Sequence, residues 1–510
     1  MSPTVLGINL SHTGAACVLA GGEIRGAGVE ERLSRIKGDA GFPIRAIEHV
    51  LRASGVGGDE IDVLAVGTLC ERFQPRLAQQ REYRPLIRAV GKASALAPLS
   101  LLGSRALRGA YRGSLGILRR RETRHEHLPT LRDMGIRPRQ VLHFDHHDCH
   151  SAATFHLRPF DDDATLLTCD GLGDGLAATV SVGRKGAIHR VASTSSVHSL
   201  GSMYSRVTRC LGFKPWEHEG KVMGLAPYAD PERAEELARD FERFLEVDRL
   251  EFRNRLGLIG DSFIDHVAKR YGTHRFDDLA FAIQGLAELR LREWAEQAVR
   301  ATGVRKICAA GGVFLNVKAN AGLVRSHLID NLYVFPAPGD ESVAIGAALL
   351  AHLRQVGGAA LAGGAGERPF ARSPSIFWGP DVSEGIDRSI RDVDRNRFEV
   401  TWHGDRIDSE VAVLLAEGEI VGRARGRLEF GPRALGNRSI LADPSRLEAV
   451  GELNRAIKNR DFWMPFAPAI AAENSGRYIH NSKGIDSPHM MLTFETVAEH
   501  RNEIAAAIHP

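Results

Sequence analysis

Apolar runs broken by short glycine turns recur along this chain, and two of them share one plan. TVLGINLSHTGAACVLAGGEIRGAG (residues 4–28) and ATLLTCDGLGDGLAATVSVGRKGAIHRVA (residues 164–192) each give a β-rich run, a small polar and glycine turn, a second β-rich run, a Gly turn and a third strand. Self-similarity of this kind predicts a duplicated unit. Each first turn places polar side chains and free backbone N–H donors at a strand end, the arrangement that cradles phosphate in nucleotide folds.

Between and after the copies the pattern changes period. Residues 76–139 read as helices and loops, and AFAIQGLAELRLREWAEQAVRAT (280–302) is the clearest amphipathic helix. VRKICAAGGVFLNVKAN predicts a buried strand, a Gly311–Gly312 turn and polar Asn316; VFPAPGDESVAIGAALLAHLR (334–354) predicts a strand, a turn and a helix that Asp340 could open. From Gln355 to about Phe377 the composition shifts to Gly, Ala and Pro, which predicts a linker over 355–377 between a large domain, 1–354, and a smaller one, 378–510. The smaller domain should hold a helix near 408–417, a strand EIVGRAR, the loop GRLEFGPRALGNRS and the segment RDFWMPFAPAI.

Composition narrows the class. Of 510 residues 43% are apolar and 25% charged, and Lys plus Arg total 66 against 63 acids, so disorder and a broad polyanion-binding charge are both excluded. Locally the balance is uneven: 76–139 carries fifteen Lys or Arg against Glu82, Glu122, Glu126 and Asp133, leaving +11 there and −8 over the remainder. A basic cap over an anionic site and a solvated arginine-rich face both fit. No apolar run reaches the ~18 residues of a bilayer span and the start lacks a secretion-signal pattern, so the expectation is a cytoplasmic protein without a membrane partner. Six cysteines without C-x-x-C spacing fit reduced thiols.

The candidate chemistry begins with HFDHHDCHSA. His146 and His150 are four apart, hence on one helical face where two imidazoles can ligate one metal, with His147 pointing away. Helix-surface histidines give the same spacing among 21 histidines, but Asp170 in TCDGLGD and Asp340 in APGDES are carboxylates at predicted strand ends that could complete a nitrogen and oxygen set suited to iron, manganese or zinc. Capping or turn making remains open for both acids. His12, in the first glycine turn, could serve as a general base, or be a solvent-exposed turn histidine. Lys37 fits a phosphate contact or a surface lysine. In the smaller domain Arg427, Arg433 and Arg438 recur among Gly431, Pro432 and Gly436, a rigid loop presenting guanidinium forks to phosphate or carboxylate; Lys458 and Arg460 could add donors.

Nine motifs occur in order: LGINLSHTGAA, RLSRIKGDAGFP, HHDCHSAA, DGLGDG, EHEGKVMGLAPY, AAGGVFLN, PAPGDESVAIGAA, EFGPRALGNRSILADP and PFAPAI. Together they closely resemble the NodU/CmcH-type O-carbamoyltransferases that decorate natural products, over nearly the whole chain. The resemblance implies an α/β protein: a duplicated N-terminal domain of the actin-like, ribonuclease-H-like ASKHA fold, akin to the kinase-like subunit of tRNA threonylcarbamoyladenosine synthesis, and a YrdC-like domain. It implies that carbamoyl phosphate and ATP, with magnesium, give carbamoyl-adenylate in the YrdC-like domain, and that the large domain passes the carbamoyl group to a hydroxyl of a small-molecule acceptor. It further implies that His146, His150, Asp170 and Asp340 hold a divalent metal, iron favoured; that His12 is the catalytic base; that Lys37, Asp170, Gly201, Gly312, Asn316 and Asp340 contact nucleotide or carbamoyl-adenylate; and that Arg427, Arg433, Arg438, Lys458 and Arg460 take carbamoyl phosphate. A homodimer is compatible with the family.

One departure stands out. Family members usually continue past the point matching IAAAIHP with a strand, an arginine-bearing stretch and an Asn-Thr-Ser-Phe-Asn motif, none of which is found here, so the YrdC-like domain is expected to be C-terminally shortened. This departure and the motifs leave two rival expectations: a nucleotide-binding protein with an inactive donor-activating domain, and a threonylcarbamoyl-type transferase on tRNA. The fused EFGPRALGNRS domain and the near-neutral overall charge speak against nucleic acid.

Overall fold

The computed structural model describes residues 2–69, 128–357, 370, 375–458 and 460–510. Most of the basic stretch 76–139, most of the linker 355–377, Cys70 and the Lys458 side chain lie outside the described residues. The chain forms two compact units, Met1–Pro374 with Met491–Thr493, and Ser375–Met490 with Phe494–Pro510. No helix among the described residues is long and apolar enough to cross a membrane.

The first unit is mixed α/β. Strands β1 (Val5–Asn9), β2 (Ala15–Ala20) and β3 (Glu23–Val29) form an antiparallel meander, with Leu6 opposite Val18, and β4 (Val63–Val66) and β5 (Gln140–His143) add to β1 in parallel, giving the order β3-β2-β1-β4-β5. The second copy repeats this. β6 (Ala164–Gly173), β7 (Leu176–Arg184) and β8 (Ala187–Ser195) form the meander; after a short hairpin, β9 (Leu245–Asp248) with β10 (Glu251–Asn254), strands β11 (Lys306–Ala310) and β12 (Asn331–Val334) add to β6 in parallel, in the order β12-β11-β6-β7-β8. The duplication expected from the apolar pattern is thus present in strand order and direction. The apolar pattern does not anticipate the β9–β10 hairpin; its turn residue Arg249 sits at φ 58 in place of the glycine or asparagine that usually marks such turns. Strand β1 is buried along its whole length, as expected for a central strand that reads as one apolar run.

The helices that frame the site are α1 (Ile44–Ser54), α2 (His146–His156), α3 (Leu200–Cys210), α4 (Phe276–Thr302), α5 (Val317–Arg325) and α6 (Glu341–Val356). Helix α4 starts four residues before the expected 280, because Asp277 and Asp278 suit a first turn and are held by Arg275 and Arg233. Helix α1 covers the first sheet, its Ala46, Ile47 and Val50 meeting Leu6, Ile8, Val18 and Leu64 in one apolar cluster. Helix α6 is buried nearly all round, which explains its apolar sequence. It packs against β1 and β2 on one side and against α2 on the other, while α2 lies on β6 and β11. At the crossing a methyl group on Gly346 would stand 1.9 Å from the Cys149 carbonyl oxygen, so the two backbones touch. The N-terminal ends of α2 and α6 consequently come together at the carboxyl ends of the parallel strands, where α/β sheets present their loops.

The second unit contains helix α7 (Ile407–Glu417), close to the expected 408–417, and two two-stranded sheets, β13 (Val421–Ala424) with β14 (Arg438–Leu441) and β15 (Ile479–His480) with β16 (Glu495–Thr496). Its buried centre includes Trp378 edge-on to Phe430, with ring centroids 5.6 Å apart.

Candidate functional site

Four side chains from distant parts of the sequence converge in the first unit. His146 and His150 project from the first turns of α2, whose start is fixed by Asp145: its carboxylate accepts from the His147 and Asp148 amides and from Arg190, whose Nη2 lies 2.6 Å from Asp145 Oδ1 and 2.6 Å from Asp148 Oδ1. Asp170 lies where the ladder of β6 breaks between Cys169 and Gly173. Asp340 stands at the residue preceding α6, yet its carboxylate makes no cap hydrogen bond. It turns to the histidines instead, so the capping role left open for it is not the one it plays.

The donor atoms face one another. His146 Nε2 is 3.1 Å from His150 Nε2, 3.6 Å from Asp170 Oδ2 and 3.5 Å from Asp340 Oδ1; His150 Nε2 is 3.3 Å from Asp170 Oδ2 and 4.0 Å from Asp340 Oδ1. All four residues are buried. Ligands about 2.1 Å from a tetrahedral metal stand about 3.4 Å apart, so the set has the spacing of a coordination sphere. Ser342 prepares one ligand: its hydroxyl donates to the Gly339 carbonyl at 3.0 Å and therefore accepts from His150 Nδ1 at 2.9 Å, which puts the proton on Nδ1 and leaves the Nε2 lone pair toward the cluster.

Charge favours a cation there. Burial works to lower the His146 pKa, but Asp340 and Asp170 beside it outweigh burial and hold it at about 9, whereas burial pushes that of His150 down. Against burial, the imidazoles keep the Asp170 and Asp340 carboxyls below the usual carboxylate range. Neighbouring Glu341 is pushed up to about 7 by its burial. His147 points away as expected, hydrogen-bonding Thr168 through Nδ1 at 2.7 Å, and burial with the charge of His146 takes it down to about 3.

His12 joins this group. Its Nδ1 is 3.2 Å from Asp340 Oδ2, and although burial works to lower its pKa, Asp340 holds it at about 9, helped by Asp170 and Glu341. A cation among the same carboxylates would offset the charge that raises it. The Gly312 amide also reaches the centre, donating to Asp170 Oδ2 at 3.3 Å. Gly201 packs in the first turn of α3, where a methyl group would come within 2.8 Å of the Asp170 carbonyl oxygen.

Other expected contacts are engaged elsewhere. Lys37 is exposed, its Nζ donating to the Glu217 carbonyl at 3.4 Å. Asn316 forms a reciprocal amide pair with Gln284, at 3.0 and 2.8 Å, and caps α5 by accepting from the Ala319 amide. In the second unit Arg427 spends its guanidinium on the carbonyls of Gly379 and Trp378, and Arg438 on those of Arg425, Asn437, Pro380 and Gly426, so both brace the loop. Glu429 organises the same loop by accepting from the amides of Leu435, Asn437 and Arg438. Burial lowers the pKa of Arg433, helped by the charge of Arg460, and burial also lowers that of Arg460, whose guanidinium lies over the Phe466 ring at 5.2 Å.

Sequence reasoning missed Ser342 and Asp174. Asp174 accepts from the His146 amide at 2.9 Å, from Thr68 Oγ1 at 2.8 Å and from the Leu69 amide, tying the start of α2 to the end of β4. The two lie inside GDES and DGLGDG, and the second Asp-Gly of the latter was the available signal.

The Carbamoyltransferase N-terminus family matches residues 4–349 and the Carbamoyltransferase C-terminus family matches 412–510. Nodulation protein NolNO of Sinorhizobium fredii is 29% identical over 514 residues, spanning 98% of this chain and 68% of that protein. Nodulation protein NolO of Bradyrhizobium diazoefficiens is 33% identical over 375 residues, spanning 71% of this chain and 65% of that protein. The chain thus spans about two thirds of the length of these relatives. Among solved structures, component A of the Acidaminococcus fermentans (R)-2-hydroxyglutaryl-CoA dehydratase superposes with a TM-score of 0.36 at 13% identity, over 70% of this chain and 100% of that one, too distant a likeness to bear on function.

Proposed function

Since the chain belongs to the carbamoyltransferase family, we propose that it is an ATP-dependent O-carbamoyltransferase that uses carbamoyl phosphate, by way of carbamoyl-adenylate, to carbamoylate a hydroxyl of a natural-product acceptor. Residues 1–354 would form the actin-like transfer domain and 378–510 a YrdC-like donor-activating domain. The observation that carries this reading is the convergence of His146, His150, Asp170 and Asp340 with His12 against Asp340.

The four converging residues would hold a divalent metal, with iron favoured and zinc or manganese compatible with the donor set. Bound there, such an ion supplies Lewis acidity toward phosphate and carbonyl oxygens. The chain does the rest. The Gly312 amide holds the Asp170 carboxylate, and the first amides of α2 hold those of Asp174 and Asp145, so the acids around the site are fixed in place. His12, held through Nδ1 by Asp340, takes the acceptor hydroxyl proton at Nε2. In the second unit Arg433 and Arg460 would receive carbamoyl phosphate, while Arg427 and Arg438 brace the loop that carries Arg433.

The experiment is nucleotide product analysis. Purified protein with ATP, carbamoyl phosphate and a panel of alcohols should release AMP and yield an O-carbamoylated product detected by mass spectrometry. ADP as the sole nucleotide product would count against the reading. Preformed carbamoyl-adenylate, given alone, reads the first unit independently of donor activation.

A further inference from the structure

The second unit leaves a strand-patterned segment and a helix face uncovered. Residues 398–402, Phe-Glu-Val-Thr-Trp, alternate apolar and polar as a half-buried strand does, yet Phe398, Val400 and Trp402 are 52%, 39% and 84% exposed. The Asp394 carbonyl accepts from the Arg397 and Phe398 amides at 3.1 and 3.0 Å, which closes a turn before the segment; residues 399–402 then make no backbone hydrogen bond among the described residues. Such a row of open N–H and C=O groups is a template for a further strand. Helix α7 follows at Ile407. Its Ile407, Val411, Leu414 and Leu415 fall at the spacing of an apolar stripe, but no residue of the helix is buried, and Ile407, Val413 and Leu414 stand well out in solvent. Apolar exposure gathered in this way, within one stretch of sixteen or so residues, marks a contact surface.

We propose that a second molecule of this chain covers this surface, residues 398–402 pairing antiparallel with the same residues of that molecule about a two-fold axis through Val400. The inference is independent of the carbamoyl-transfer reading. A two-fold contact must be self-complementary, and this segment is. In the register centred on Val400, Phe398 meets Trp402 of the second molecule on each side of the Val400 pair, so six apolar side chains share one face, while Glu399 meets Thr401 on the other. The flanks carry their charges in mirrored order. Asp394 and Arg395 precede the segment, and Asp405 and Arg406 follow it, so the same register brings Arg395 toward Asp405 and Asp394 toward Arg406 of the second molecule. Arg395 donates to the Ile390 carbonyl at 3.2 Å, and among the described residues neither it nor Asp405 has an ion-pair partner in its own chain. Arg397 is set toward His403, whose Nδ1 lies 3.7 Å from Glu410 Oε1, so it too approaches an acid. Parallel pairing in register would place Arg397 on Arg397 and Glu399 on Glu399, which like-charge repulsion disfavours.

The test is sedimentation velocity of the full chain across a range of concentrations. Wild type should pass from monomer to dimer as concentration rises. Val400→Lys sets two ammonium groups on the axis and should raise the dimer dissociation constant about 100-fold. Arg395→Asp sets an acid against Asp405 at two symmetric places, a loss of about tenfold, and adding Asp405→Arg should recover most of it. All of these positions are exposed, so the variants should keep the wild-type circular dichroism. Cross-linking reads the register directly. Directly opposed residues of an antiparallel pair stand about 4.5–5.5 Å apart at Cα, within reach of a disulfide, so Val400→Cys should give a covalent dimer on mild oxidation, whereas Thr401→Cys, opposed to Glu399, should not. A wild type that is monomeric at every concentration, a dimer untouched by Val400→Lys, or equal cross-linking at 400 and 401 would each overturn the proposal. So would a monomer whose amides at 399–402 are protected from hydrogen exchange, since a different polypeptide segment would then cover the surface.

Discussion

Removing the Ser342 hydroxyl is the sharpest perturbation that leaves every proposed metal ligand in place. Ser342 is fully buried, and its Oγ accepts from His150 Nδ1 at 2.9 Å while donating to the Gly339 carbonyl at 3.0 Å. Ser342→Ala leaves a buried ring N–H without that partner, at about 1–3 kcal/mol, while the Gly339 carbonyl keeps the backbone amide of residue 342. That cost falls on the fold whether or not a metal binds. The specific consequence is that the His150 ring is no longer held with Nε2 toward His146 and Asp170. Loss of an oriented partner behind a metal-binding histidine lowers metal affinity about 10–100-fold, or about 1.4–2.7 kcal/mol. The assay is urea denaturation of metal-free and metal-saturated protein at fixed free metal, because an ion bound only to the folded state stabilises it by a linkage term set by its dissociation constant. Ser342→Ala should lower the metal-free stability and, separately, shrink the metal-dependent increment by about 1.4–2.7 kcal/mol. An increment equal to the wild type's would show that His150 does not ligate through Nε2.

Four further substitutions have outcomes set by the geometry. His198 is 1% exposed, accepts the Asn254 amide at 3.1 Å through Nδ1, and is pushed down to about 4 by burial, then by Arg253; because the unfolded chain binds the proton more readily, stability falls as pH drops below about 6.5, by about 2 kcal/mol between pH 7 and pH 5, and His198→Asn should remove that slope in urea midpoints. Asp174→Asn keeps an acceptor for Thr68 and Leu69 but sets an amide N–H against the His146 amide, so the half-buried link should lose about 1–2 kcal/mol in denaturation, with metal affinity reduced alongside. Gly346→Ala forces a methyl group onto the Cys149 carbonyl and should lower the thermal midpoint through overpacking of about 1–3 kcal/mol, whereas Ala347→Gly on the same helix should cost closer to 1 kcal/mol.

The large-scale plan was legible because it is written in periodicity. Two runs of alternating strand and glycine turn produced two sheets of equivalent order, and the i, i+4 spacing placed His146 and His150 on one face of α2. What the pattern could not supply was direction. Nothing in GDES says that Asp340, at a helix start, declines the cap and faces His12, or that Ser342 two residues on will orient a histidine nearly two hundred residues away. These depend on where α6 crosses α2, a contact set by Gly346 against the Cys149 backbone. The arginines of GRLEFGPRALGNRS show the converse. Their spacing is compatible with anion binding throughout, but Arg427 and Arg438 meet backbone carbonyls, which the fold alone reveals. Asn316 likewise reads as a ligand contact until Gln284, on a helix far away in sequence, closes an amide pair with it.

Elemental analysis after loading with ferrous iron, zinc or manganese and exhaustive dialysis reaches the heart of the matter, because the proposed chemistry depends on a cation seated between α2 and α6. Wild type should retain a single ion per chain, and a variant carrying both His146→Ala and Asp340→Ala, shown folded by circular dichroism, should retain only traces. Undiminished metal in that variant would mean that the four converging side chains are not its ligands.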